Sequence, residues 1–264
     1  IENSNLYLLE MSAAITGPFT ALYTGSDTLA IHRGLTRSQR VWYRVRAQNT
    51  MHASAWSDTI SAVAVGIPAD GMIIYYPFTG HANDYSGHNH HGTVTGATLT
   101  NDRFGRDLNA YAFDGNADVI NTNFVLPNIF SLSIWFSKDA NQNNNAGLLS
   151  TYSGSNYNGF YYALGSATEW IRCDGNSLDA FPSSILTWKH LVIVSNGSKV
   201  KVYENAVQKL DIGRTTRHAD VLLIGDSRFN GRYFRGKIDD IRTYDRGITD
   251  MEIQALYHEN DWAN

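Results

Sequence analysis

Phe234-Arg235-Gly236-Lys237-Ile238-Asp239-Asp240-Ile241-Arg242-Thr243-Tyr244, followed after a short turn by Ile248-Thr249-Asp250-Met251-Glu252-Ile253-Gln254-Ala255-Leu256-Tyr257, decides the fold. The first run is a long strand, in which successive side chains face opposite ways. In the second, Thr249 stands three residues before Glu252. This is a capping box: the threonine oxygen accepts from the N3 amide and the glutamate reaches back to the cap. Ile253, Leu256 and Tyr257 then share one face, so the spacing predicts one short helix lying against a sheet. Upstream, Ser131-Leu132-Ser133-Ile134-Trp135-Phe136 alternates. Leu132, Ile134 and Phe136 take one face and Ser131, Ser133 and Trp135 the other, the period of a sandwich strand.

The chain around these segments has 264 residues, 43% hydrophobic and 17% charged, which supplies ample core and argues against disorder or a coiled coil. Six Trp, fifteen Tyr and eleven Phe beside only six Glu make a composition of strands and turns. The net charge of −4 is spread without long runs, so no basic stripe exists to neutralise a nucleic acid. The longest apolar runs fall well short of the roughly 20 residues that span a bilayer. Cys173 is the only cysteine, so no internal disulfide forms and stability rests on packing or on a bound ion. The text opens at Ile1-Glu2-Asn3 without an initiator Met, and reads as a piece of something longer.

Residues 6–65 hold short alternating runs: Leu6-Tyr7-Leu8-Leu9-Glu10-Met11-Ser12, Phe19-Thr20-Ala21-Leu22-Tyr23-Thr24-Gly25, and Val41-Trp42-Tyr43-Arg44-Val45-Arg46-Ala47-Gln48-Asn49. The last, with Ser54-Ala55-Trp56-Ser57 behind it, resembles strands F and G of a fibronectin type III domain. Val41 departs from the family, standing where its corner tyrosine is usual. The resemblance implies a partial domain over 1–65, strands C to G, with nothing in front of it for strands A and B. Either those strands precede this text, or another chain supplies them. Ala64-Val65-Gly66-Ile67-Pro68-Ala69-Asp70-Gly71 supplies a linker at 66–71.

From 72 to 264 the order of segments resembles the laminin-G-like jelly roll of the concanavalin-A superfamily: Ile74-Tyr75-Tyr76-Pro77-Phe78, Asp84-Tyr85-Ser86-Gly87, Ala112-Phe113-Asp114-Gly115, and then the strands and helix quoted above. The expected fold is all-β: a partial fibronectin type III sandwich plus a jelly-roll sandwich with one short C-terminal helix. The resemblance further implies structural calcium, held by Asp84 and Asp239, with Asp240 as the neighbour that would serve instead if it faces the ion. The alternative is that these carboxylates accept from turn amides.

Sugar binding would draw on the loops between about 139 and 181, where aromatic rings and amides accumulate. Asn144, Tyr152, Tyr157 and Trp170 are the candidates, with Tyr161 and Tyr162 either beside them or in the core. His88, His90 and His91 have a spacing that would suit zinc, in positions that vary in the family. Catalysis is disfavoured. The E-x-D-x-x-E run of the glycoside hydrolases on this fold is missing, and the six Glu show no acid and base pair. Gly225-Asp226-Ser227 reads as a strand end rather than a nucleophile turn, and Cys173 as a small buried hydrophobe. Asn196-Gly197-Ser198 is a sequon in a hairpin turn.

The sequence thus leads to a non-catalytic extracellular or cell-surface module, part of a larger protein and bound to a glycan or another cell-surface ligand. The alternative is a structural fibre subunit, in which neighbouring copies complete the first domain. Neither involves nucleic acid or a membrane span.

Overall fold

The alternating runs of the first 65 residues become four antiparallel strands, β1 (Leu6–Ser12), β2 (Thr20–Gly25), β3 (Arg40–Gln48) and β4 (Ile60–Val63), in the order β2-β1-β3-β4. The computed structural model describes residues 6–28, 30, 32, 34–36, 39–64, 66–141, 145–151, 159–165, 168–173, 177–182, 188–216, 218, 220–226 and 231–259. Within these the chain forms two units, Ile1–Ile67 and Pro68–Asn264. In the first, register pairs Leu9 with Val45 and Tyr23, and Tyr43 with Met11 and Ile60, which gathers an apolar face. Among the described residues no second sheet covers it: Val45 is 38% and Ile60 67% exposed.

In the second unit the described strands are β5 (Met72–Tyr76), β6 (Thr93–Thr95), β7 (Thr98–Thr100), β8 (Ala110–Asp114), β9 (Val119–Asn121), β10 (Ile129–Lys138), β11 (Ala146–Ser150), β12 (Phe160–Leu164), β13 (Thr168–Cys173), β14 (Ser177–Pro182), β15 (Lys189–Asn196), β16 (Val200–Glu204), β17 (Val207–Ile212), β18 (Leu223–Ile224) and β19 (Arg235–Tyr244). One sheet runs β17-β16-β15-β10-β19-β8-β7, with β5 also paired to β19; the other runs β14-β13-β12-β11-β18-β9-β6. Leu132, Ile134 and Phe136 point between the sheets and meet Leu149, Tyr162, Ile171 and Ile224 from the opposite one, all fully buried. The architecture is an all-β sandwich with one short helix.

The polar face of β10 is buried as well, because something lies over it. Helix α1 (Asp250–Tyr257) and the segment after β7 cover Trp135, whose ring stacks on His190 at 4.8 Å and on Tyr257 at 5.8 Å, with the Arg103 guanidinium 4.6 Å away. The capping box closes in both directions: Glu252 N donates to Thr249 Oγ1, and Thr249 N to Glu252 Oε2 at 2.8 Å. Arg246 adds a fork to the same carboxylate at 2.7 and 3.0 Å.

Those bonds, Arg246 first, hold the Glu252 carboxyl down at about 2, below its ordinary 4.5. A folded value below the unfolded one gives stability that is present above pH 4.5 and lost as the pH falls toward 2. Glu252→Gln is therefore expected to cost about 1–2 kcal/mol at neutral pH. It is also expected to converge with the wild type by pH 2, as read by denaturant midpoints across that range.

Candidate functional site

Asp84, Asp239 and Asp240, expected to hold calcium, are each engaged in other bonds. The Asp84 carboxylate accepts from the amides of Tyr75, Ser86 and His90 at 2.8–3.0 Å and from the Ser86 hydroxyl at 2.8 Å, pinning the loop after β5 to that strand. Burial works against its charge, but these donors prevail and keep the carboxyl below its ordinary range.

Asp239 and Asp240 meet guanidinium groups. Arg103 Nη1 lies 2.5 Å from Asp239 Oδ2 and Nη2 3.4 Å from Asp240 Oδ2; Arg242 Nη2 lies 3.1 Å from that same Asp240 oxygen. Glu259 closes the group on Arg242 at 2.7 and 2.9 Å. Burial pushes the Asp239 carboxyl up to about 7, with Arg103 working against the rise.

Alternation would face Asp239 and Asp240 opposite ways, and a bulge undoes it. Asp239 opposes Trp135 and Ile241 opposes Ile134, so Asp240 is the extra residue. It sits at φ +42°, a strained value for a non-glycine residue. Both carboxylates therefore reach one arginine.

Two arginines stand where a cation would, and among the described residues no three His, Cys, Asp or Glu are arranged to hold an ion. Of the three histidines, His91 is engaged: its Nδ1 accepts from the Asp84 amide at 3.0 Å, which occupies that lone pair. The donor set does not fit calcium at these aspartates. The thermal midpoint is expected to be the same with and without EDTA; a fall of several degrees would restore the ion.

The sugar candidates divide differently. Asn144, Tyr152 and Tyr157 lie outside the described residues. Trp170 on β13 and Tyr161 and Ala163 on β12 form a cluster apart from the main core, on the outer face of the β14-to-β6 sheet. Cross-strand pairing sets Trp170 beside Ala163 and Ala180. The adjoining row runs Arg172, Tyr161, Ser150, Leu223, Asn121 and Thr93 across five strands and into the sixth.

Tyr161 is anchored by its hydroxyl, which donates to the Asn145 carbonyl. The Trp170 Nε1 is buried and has no acceptor among the described residues. Tyr162, one residue on, points the other way into the core and donates to Glu169 Oε2 at 2.5 Å. Arg172, Asn121 and Thr93 were missed by reading the sequence. Alternation two residues on from Trp170 would have found Arg172, but Asn121 and Thr93 join only through strand order.

Each described glutamate is held by a cation. Glu10 binds Arg44, Glu169 and Glu204 share Lys189, Glu252 binds Arg246 and Glu259 binds Arg242. Gly225 ends its strand at φ +86°, and a Cβ there would overlap the Phe113 ring, so its glycine is a packing requirement. Ser227 lies outside the described residues, and Cys173 is in the core. Among those residues, no helix is long and apolar enough to cross a membrane.

Comparison with known proteins bears on this fold. No curated protein matches the sequence. Among solved structures, domain 4 of a GH43 extracellular arabinanase from Geobacillus stearothermophilus, in complex with arabinotriose, is similar at a TM-score of 0.54 and 20% identity, over 70% of this chain and 98% of that one. The botulinum neurotoxin serotype D binding domain is similar at 0.55 and 16%, over 72% of this chain and 51% of that one. The binding domain of Paraclostridial Mosquitocidal Protein 1 gives 0.56 and 14%, over 72% and 52%. Such low identities speak to fold alone. Residues 111–254, more than half of the sequence, match the family described as the concanavalin A-like lectin/glucanases superfamily, and the chain belongs to that superfamily.

Proposed function

We propose that the second unit is a non-catalytic carbohydrate-binding module acting outside the cell, within a larger secreted or surface protein. One observation carries this: Trp170, half-buried on an outer sheet face, has an indole N–H with no acceptor among the described residues, and the row beside it ends in the accessible polar side chains of Asn121 and Thr93. Aromatic faces stack on sugar rings while such polar groups bond hydroxyls. The arabinanase domain was solved with arabinotriose and the neurotoxin D domain with N-acetylneuraminic acid, which supports the class of ligand without naming it.

The test is affinity electrophoresis through gels containing single polysaccharides, with reducing ends assayed in parallel. Retardation in at least one gel with no sugar release is the expected result. Release of reducing ends would overturn the non-catalytic part, and free migration in every gel the binding part.

The first unit we read as the C-terminal part of a fibronectin type III domain, supported by its strand order β2-β1-β3-β4 and by the burial of Val41 at the corner position. Its uncovered apolar face favours a second reading, a fibre subunit completed by a neighbouring copy. Negative-stain microscopy of the native material separates the two: discrete particles support the module, ordered filaments the fibre.

A further inference from the structure

The other face of the first unit's sheet carries charge in place of apolar side chains. Alternation along β3 puts Arg40, Trp42, Arg44 and Arg46 on it. The segment after β3 returns along the strand. Ser54 and Ser57 donate their amides to the carbonyls of Ala47 and Val45 and accept those residues' amides on their own hydroxyls, at 2.8–3.1 Å. That clamp lays Trp56 over the arginines. The Arg44 guanidinium lies 4.2 Å from the Phe19 ring and 4.2 Å from the Trp56 ring, and Arg46 lies 4.5 Å from Trp56, so rings and cations alternate in four layers.

We infer that this Arg40–Arg44–Arg46 face is a second binding surface, for an anionic polysaccharide. It is independent of the Trp170 face. Three guanidiniums at strand spacing span roughly 20 Å, a line suited to an extended polymer. Residues 1–67 contain five arginines and no lysine, and the arginine fork matches sulfate and carboxylate oxygens in a way a lysine does not. Phe19 and Trp56 hold the Arg44 guanidinium in place beforehand and Trp56 that of Arg46, which lowers the ordering cost of binding.

Donors remain for a ligand. Glu10 takes Nε and Nη2 of Arg44 and Ser61 takes Nη1 of Arg40, so Arg44 Nη1 and Arg40 Nη2 have no acceptor among the described residues. The competing polyanion, nucleic acid, stacks its bases on open aromatic rings, and here Phe19 and Trp56 are already covered by the guanidiniums of Arg44 and Arg46.

The test titrates the full chain at low salt with dextran sulfate, polygalacturonate, neutral dextran and single-stranded DNA. Dextran sulfate is expected to bind, more weakly as salt rises, while neutral dextran does not. Polygalacturonate binding as well would extend the ligand from sulfate esters to sugar carboxylates. Arg40→Ala/Arg46→Ala is expected to weaken binding about tenfold or more, as for lost charge-assisted contacts. Trp170→Ala should leave it unchanged. If the double alanine variant unfolds the unit, Arg46→Lys, which keeps charge and stem but loses the fork, is expected to weaken binding several-fold. No binding of either anionic polymer, equal binding by the arginine variants, or DNA bound as tightly as dextran sulfate would each overturn the inference.

Discussion

Arg242→Ala is expected to destabilise the protein by about 3–5 kcal/mol, because it removes one partner from a buried ionic group and leaves the others uncompensated. At this chain length that is a fall in thermal midpoint of about 10 °C. The Arg242 side chain is 3% exposed, bonds both Asp240 and Glu259, and lies 4.4 Å over the Tyr75 ring. Without it two carboxylates compete for what Arg103 supplies, and Arg103 reaches Asp240 only at 3.4 Å. The comparison that makes the result informative is Lys199→Ala. Its ion pair with Asp211 is 3.5 Å long with side chains 57% and 34% exposed, so its loss is expected to cost less than about 1 kcal/mol. A similar midpoint for both variants would mean that the cluster under α1 contributes no more than a surface pair.

Trp170→Ala is expected to weaken glycan binding by about 2 kcal/mol or more, some thirtyfold, as for a central aromatic anchor. Trp170→Phe separates the two contributions of the side chain. It keeps the stacking face and loses the N–H, so its expected cost is one hydrogen bond, about 0.5–1.5 kcal/mol. Isothermal titration with a ligand found on the polysaccharide gels measures both. Equal affinity in the wild type and the Phe variant would mean that the indole nitrogen does not bond the sugar. Trp170 packs on Tyr161 and Ala163 in a cluster apart from the main core, so neither change is expected to prevent folding.

Local patterns made the sandwich legible. Alternation in β10 and the capping box at Thr249 and Glu252 each depend on residues within a few positions of one another, and each forms as its spacing implies; the Gly236-to-Tyr244 run forms its long strand. The chemistry of the aspartates was not legible, for two physical reasons. A bulge breaks the period of two, so Asp239 and Asp240 turn to one partner where alternation parts them. That partner, Arg103, lies 136 residues earlier and comes into place only through the pairing of β7, β8 and β19.

The neighbouring pair Tyr161 and Tyr162 shows the converse. Their fates are opposite, and alternation predicts as much, but which one faces out follows from which side of the strand the second sheet covers. The row beside Trp170 spans six strands of a sheet whose order is far from chain order, so its members could be assembled only in three dimensions.

The central claim is that a glycan binds on the outer face around Trp170. Its most direct test is a glycan array probed with the full chain and, side by side, with Trp170→Ala shown by thermal melt to be folded. Binding of a restricted set of glycans by the wild type, lost in the variant, is the predicted result. A wild type that binds nothing on the array, or a folded variant that binds the same glycans equally well, would contradict it.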